Sequence, residues 1–220
     1  HVIRGSDHRP NEELQRRIAR AIGGELPEVR HVGLLLGEDG KKLSKRHGAV
    51  SVADLRAEGI PGAAARAYLD ELGLPSHDVH LDRGRLARLA IDTITAMSDD
   101  ELAAAADAPP ELARALRGAR TLVEARSMAE AIVAPAPVDL PAEARPTLER
   151  FAELRTGARE WLDEDDARAI VRELKAVGGD LRMLRLALTG AERGPELWTV
   201  VAALPASEAV ARVGRASVTG

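Results

Sequence analysis

The sequence predicts a mainly α-helical protein with a partial α/β segment at its start. Two observations carry this. In the first fifty residues, the apolar runs "HVIRG" and "RHVGLLLG" flank an amphipathic stretch. From Ser51 onward the apolar period is helical throughout. Composition agrees: only four residues are aromatic, and Ala, Leu, Arg and Glu dominate, as in Ala/Leu-packed helices.

"HVIRG" reads as a β-branched strand. With neither a Met nor a leader before it, it reads as the later part of something larger. In "SDHRPNEELQRRIARAIGG", Leu14, Ile18 and Ile22 fall on one helical face, and Gly23-Gly24 stops the helix. "RHVGLLLG" then reads as a second strand, apolar enough to be buried on both faces. Strand, helix, strand is a crossover unit of a parallel sheet. Asp39-Gly40 signals a tight turn just after it.

Ser51 caps the next helix, which stops at Gly59. Pro61 opens a helix that stops at Gly73, and Leu86, Leu89 and Ile94 are in phase in another. Ser98 and Glu101 form a capping-box pattern. A single long helix is expected from Pro110 through "LARALRGARTLVEARSMAEAIV". "APAPVDLPAEARP", with four prolines in thirteen residues, is expected to be a loop or linker. Beyond it come several more helices, one capped by Asp163.

Cysteine is absent, which excludes disulfides, thiolate metal sites and a Cys nucleophile, and suits a reducing cytoplasm. The six histidines show no paired spacing for zinc, so no protein-bound zinc is expected. No apolar run approaches a membrane span. The net charge of −4 hides an asymmetry: residues 1–50 hold ten Lys/Arg against seven Asp/Glu. A local basic patch binds anions whatever the total, because fields act within about 10 Å.

That patch is "GEDGKKLSKRHG". Lys41, Lys42, Lys45 and Arg46, with the Ser44 hydroxyl and glycines on a loop, suit phosphate oxygens. On composition alone a solvated basic hairpin is the favoured account of it. Its context decides. "KLSKR" after a parallel strand resembles the KMSKS signature of class I aminoacyl-tRNA synthetases. With "RGSDH" upstream, residues 1–74 resemble bacterial glutamyl-tRNA synthetases, and "LRMLRLALTGAERGPELW" is similar to the end of their anticodon-binding region.

The resemblance implies a Rossmann-like nucleotide-binding fold, here partial, followed by an all-helical stem-contact and anticodon-binding region. It implies residues 1–50 as the later part of the catalytic domain, 51–134 as stem-contact and first anticodon-binding region, and 135–220 as the C-terminal anticodon-binding region. It implies glutamate, ATP with Mg²⁺ and tRNA(Glu) as partners, a cytoplasmic monomer and no membrane. Lys42, Ser44 and Lys45 stand in the signature loop, with Lys45 and Arg46 toward the ATP phosphates. Asp7 and His8 stand at the ATP crevice, and Arg4 in the glutamate pocket. For Arg4 the competing reading is a pair with an acidic neighbour, and for Asp7 a helix cap.

Two departures matter. Ser6 replaces the family's usual glutamate, and the HIGH-type signature is nowhere in the sequence. The chain thus resembles the C-terminal part of a synthetase, either a fragment or one half of a split enzyme. The competing function is a non-catalytic tRNA-binding module. A glutamine-specific relative is disfavoured, because its anticodon domains are β-barrels. A tRNA-modifying paralogue is disfavoured, because it lacks the helical anticodon region.

In the helical remainder two readings compete for Arg83, Arg85 and Arg88, and for Arg114, Arg117, Arg120 and Arg126. They either present guanidiniums to tRNA phosphates or form a salt-bridged, solvated face. Arg185 is divided between a tRNA contact and packing. Trp161 and Trp198, among apolar helical residues, are expected in the core.

Overall fold

The computed structural model describes residues 1–37, 40–43 and 51–219. Backbone contacts divide the chain into two compact units, His1–Ala90 and Ile91–Gly220.

In the first unit β1 (Val2–Gly5) is followed by a 3₁₀ turn (Ser6–Asn11) and α1 (Glu12–Ala21). The chain returns as β2 (Val29–Val32), parallel to β1, with Val2 opposite Val29 and Gly5 opposite Val32. The crossover unit is therefore present. Its second strand is not the single buried run that "RHVGLLLG" suggests. β2 ends at Val32, and a separate β3 (Leu35–Leu36) pairs in parallel with β4 (Val79–His80). None of these residues is fully buried.

The cause lies at Gly33, where the segment leading into β4 crosses the chain. The Gly33 amide donates to the Pro75 carbonyl at 2.8 Å. A Cβ on Gly33 would lie 1.8 Å from the His77 carbonyl oxygen. Beside it, the Leu34 amide donates to Asp78 Oδ1 at 2.8 Å.

α1 is amphipathic as expected, but no residue in it is buried. Leu14, Ile18 and Ile22 are 61, 53 and 80% exposed. Periodicity defines the helix, and nothing among the described residues covers its apolar face.

α2 (Val52–Ala57) opens with a full capping box between Ser51 and Asp54. α3 (Gly62–Leu72) follows Pro61 and ends at Gly73. Tyr68, Leu81 and Leu86 form a small core with Leu35, Leu55 and Leu72 around it. The Tyr68 hydroxyl accepts from the Asp82 amide at 2.7 Å, at the start of α4 (Arg83–Ala96).

The second unit is a helical bundle with one larger core, including Phe151, Leu102, Leu174, Leu184 and Val200. α5 (Asp99–Ala106) has the expected Ser98–Glu101 capping box. The single long helix expected from Pro110 is instead a 3₁₀ turn, α6 (Ala113–Leu116) and α7 (Leu122–Val133). Two side chains account for the break. Thr121 caps α7, and Arg117 turns back to donate to the Thr95 and Met97 carbonyls at 3.0 and 2.6 Å.

The Pro/Ala-rich segment expected as a loop or linker contains β5 (Asp139–Pro141). It pairs in parallel with β6 (Ser217–Thr219), and Leu140 is buried. Between these strands run α8 (Arg145–Thr156), α9 (Glu164–Ala176), α10 (Leu181–Thr189), α11 (Leu197–Ala203) and α12 (Ala206–Arg215). α8 packs on α12 and α9 on α11, and Asp163 caps α9 as expected.

Two arginines are buried among these helices. Arg155, with no exposed surface, donates to the carbonyls of Arg159, Glu160 and Leu204 at 2.9, 3.0 and 2.9 Å. Arg212 donates to the carbonyls of Ile132 and Leu188 at 2.6 and 2.8 Å, and its Nε pairs with Glu208 at 2.7 Å. Arg212 satisfies carbonyls in the last turns of α7 and α10, and Arg155 those of the loop between α8 and α9 and of Leu204 at the end of α11.

Candidate active site

Three short segments of the first unit bring the charged side chains together: β1 with its 3₁₀ turn, β2, and the hairpin after β3. Their backbone comes first. Leu36 bridges antiparallel to Lys42, and the Gly37 amide donates to the Lys41 carbonyl at 2.9 Å. The Gly40 amide donates to the Gly37 carbonyl at 3.0 Å, closing a tight turn. Gly40, at φ +72°, supplies the left-handed residue that this turn requires. His80 Nδ1 lies 3.0 Å from the Gly37 carbonyl, which ties β4 to the turn.

This hairpin carries Lys42 to Asp7, and the two side chains form an ion pair and hydrogen bond. Asp7 is in the first turn of the 3₁₀ segment. The hydrogen bond from Lys42 holds its carboxyl below the usual carboxylate range, against a smaller opposing effect of desolvation. His8, exposed beside it, adds a weaker pull in the same direction. Ser44, Lys45 and Arg46 lie outside the described residues.

Arg4 has other company. Its partner across the β1–β2 register is His31. Arg4 Nε donates to His31 Nε2 at 3.3 Å, and one terminal nitrogen donates to Gln15 on α1. The other terminal nitrogen is buried and has no hydrogen-bond partner among the described residues. His31 Nδ1 lies 3.7 Å from Glu12, and the His31 side chain is 7% exposed. Among the described residues Arg4 thus makes no direct pair with an acidic side chain; a carboxylate stands behind the imidazole instead. Gln15, His31 and Glu12 were not singled out from the sequence. The signal available for His31 was the strand register, which places the histidine of "RHVG" beside the arginine of "VIRG".

The remaining cations are largely used within the protein. Arg83 pairs with Glu58 at 2.9 Å and Arg85 with Glu71. Arg114 pairs with Glu164 at 3.2 Å and Arg117 with Asp99. The break between α6 and α7 removes the common helix on which Arg114, Arg117, Arg120 and Arg126 were to recur. Arg185 is partly buried, which pulls its pKa down, and donates to the Pro195 carbonyl.

Trp161 departs from the expectation of a core position, whereas Trp198 packs against the core at partial burial. Trp161 is 53% exposed in the loop before α9, where Leu162 takes the buried place. Trp198 is half-buried, its indole N–H donating to Glu196 and its ring 4.0 Å from the Arg168 guanidinium. Among the described residues no group of three or more His, Asp or Glu side chains is arranged to hold a metal ion. No helix among them is long and apolar enough to cross a membrane.

Comparison with known proteins follows the same lines. Residues 1–84 match the catalytic-domain family described as tRNA synthetases class I (E and Q). Glutamate–tRNA ligase 1 of Rubrobacter xylanophilus is 33% identical over 276 residues, covering 98% of this chain and 61% of that protein. Its counterpart in Methylobacterium sp. is 31% identical over 273 residues, covering 97% and 57%. This chain is similar to glutamate–tRNA ligases over nearly its whole length.

Glutamate–tRNA ligase 2 of Paracoccus denitrificans is 49% identical over 81 residues, 37% of this chain and 17% of that protein. The fold agrees with a crystal structure of a glutamate tRNA ligase from Elizabethkingia meningosepticum. The TM-score is 0.69 at 18% identity, covering 97% of this chain and 56% of that one. The chain spans less than two thirds of the length of these full-chain matches. An alignment 273 residues long against 220 here also means that the Methylobacterium ligase carries segments with no counterpart in this chain.

Proposed function

We propose that this chain is the C-terminal portion of a glutamate–tRNA ligase. The complete enzyme activates glutamate with ATP and Mg²⁺ and transfers it to tRNA(Glu). In the first step a glutamate carboxylate oxygen attacks the α-phosphorus and pyrophosphate leaves. In the second, a ribose hydroxyl of the tRNA attacks the activated carbonyl and AMP leaves.

The observation that carries the reading is the Lys42–Asp7 pair. It joins the "RGSDH" and "KLSKR" segments, both within the stretch that matches the synthetase catalytic domain. Catalysis of this kind is mainly positioning and stabilisation of charge on phosphate. Lys45 and Arg46 then meet the ATP phosphates, Lys42 and Ser44 hold the loop closed, and Asp7 and His8 border the crevice. Arg4 takes the substrate carboxylate. Residues 51–134 and 135–220 serve tRNA, as stem-contact and anticodon-binding regions.

One observation favours a more specific form, in which this chain works with a separate synthetase half. The apolar face of α1, with Leu14, Ile18 and Ile22, is uncovered, as is Ile3 on β1. Such a surface, in the unit that carries the motifs, suits a protein partner.

Two measurements test the proposal. ATP–pyrophosphate exchange by the 220 residues alone should be undetectable, and measurable exchange refutes the need for another half. In the complete enzyme, Lys45→Ala should slow adenylate formation far more than it weakens tRNA binding. Equal losses in both count against the assigned role.

A further inference from the structure

We propose that His31 is the positioning residue for Arg4, fixing the guanidinium so that one terminal nitrogen stays open to a carboxylate. The inference deepens, and rests on, the reading of Arg4 as the glutamate-binding residue.

The argument begins with hydrogen-bond roles. Arg4 Nε can only donate, so His31 Nε2, 3.3 Å away, must accept and cannot carry a proton. The imidazole proton then resides on Nδ1, which faces Glu12 at 3.7 Å. This tautomer gives a chain of complementary groups, carboxylate to imidazole to guanidinium, running from α1 through β2 to β1. Glu12 is anchored in turn by Arg16 at 2.7 Å. Gln15, also on α1, takes one terminal nitrogen of Arg4.

Two of the three guanidinium nitrogens are therefore held by neutral acceptors, which leave the positive charge uncompensated. The third is buried with no partner among the described residues. A buried, unpaired cationic donor is costly, and an anion is the partner that removes the cost. A carboxylate there would find the planar fork already oriented, so less freedom is lost on binding. Glu12 is kept from becoming that anion because the imidazole stands between.

NMR on the 220-residue chain tests this, with L-glutamate as the probe. Wild type should show His31 as the Nδ1–H tautomer. Arg4 should give a solvent-protected Nε–H signal that moves as glutamate is added. His31→Gln, whose amide oxygen replaces Nε2, should keep both the signal and the affinity. His31→Leu should lose the signal and weaken glutamate binding by about tenfold, as when an orienting partner of a binding side chain is removed, with the β1 and β2 amides unmoved. Should the leucine variant fail to fold, His31→Asn serves, since its shorter amide does not reach the Nε2 position.

A proton on Nε2, or an Arg4 signal and an affinity that survive both disruptive variants, overturns the inference. If the Arg4 signal depends on His31 but glutamate perturbs nothing, the carboxylate assignment falls. In that case the reading of the pocket fails, and the dependence of Arg4 on His31 stands.

Discussion

Lys42 reaches Asp7 across 35 residues of sequence, and the pair joins the hairpin after β3 to the turn after β1. Its electrostatic signature is measurable. Asp7 is depressed in the folded chain, so the pairing is complete above the ordinary carboxylate range. It is lost as pH falls through the lowered value. In Lys42→Met the Asp7 carboxyl should titrate at a higher pH than in wild type, by ¹³C NMR. An unchanged midpoint would show that the two do not pair in solution.

Gly33 should tolerate no side chain. Gly33→Ala puts a methyl 1.8 Å from the His77 carbonyl, and backbone on both sides must move. The expected cost is about 3 kcal/mol. The chain's one tyrosine, Tyr68, lies in the first unit and both tryptophans lie in the second. The unfolding transition reported by tyrosine should therefore drop, while the tryptophan signal holds.

Arg155→Met should act on the other unit. It removes the donors to three carbonyls, and leaving such groups buried and unpaired costs about 3 kcal/mol. Denaturant unfolding followed by tryptophan should show the loss. A variant as stable as wild type would mean that those carbonyls find water instead.

The two tryptophans should be distinguishable. Trp161, more than half exposed, should be readily quenched by acrylamide, and Trp198, stacked under Arg168, less so. Trp161→Phe should leave stability within about 0.5 kcal/mol of wild type, as surface changes usually do. A large loss would place Trp161 in the core after all.

Which features were legible in the sequence follows from how local their causes are. The caps at Ser51, Ser98 and Asp163 depend on residues three positions away, and all three are where the pattern puts them. The break at Gly33 depends on His77, and the interruption after α6 on carbonyls that Arg117 reaches at Thr95 and Met97. Nothing near those residues in sequence announces either contact. Arg155 misleads in the same way: a guanidinium reads as surface, and only the carbonyls of the loop after α8 and of Leu204 give it a buried place.

The site divides along the same line. Motif spelling singled out Arg4, Asp7 and Lys42, because each lies in a short recognisable string. Their partners were hidden, since the Arg4–His31 contact exists only once β1 and β2 lie in parallel register. Trp161 shows the limit of periodicity, which gives an apolar neighbourhood without saying which of two adjacent side chains turns inward.

The pairing of β5 with β6 sets an order of events during synthesis. The first unit is built from consecutive residues, so its contacts can form as soon as its last helix leaves the ribosome. The second, likewise consecutive, closes later: Asp139–Pro141 waits through five helices for Ser217–Thr219. Arg212 likewise reaches back to Ile132 and Leu188, 80 and 24 residues earlier. Domains released from the ribosome fold as units, N-terminal first. The motif-bearing unit is thus native-like while its helical companion is still a loose bundle, closed only when β6 reaches β5.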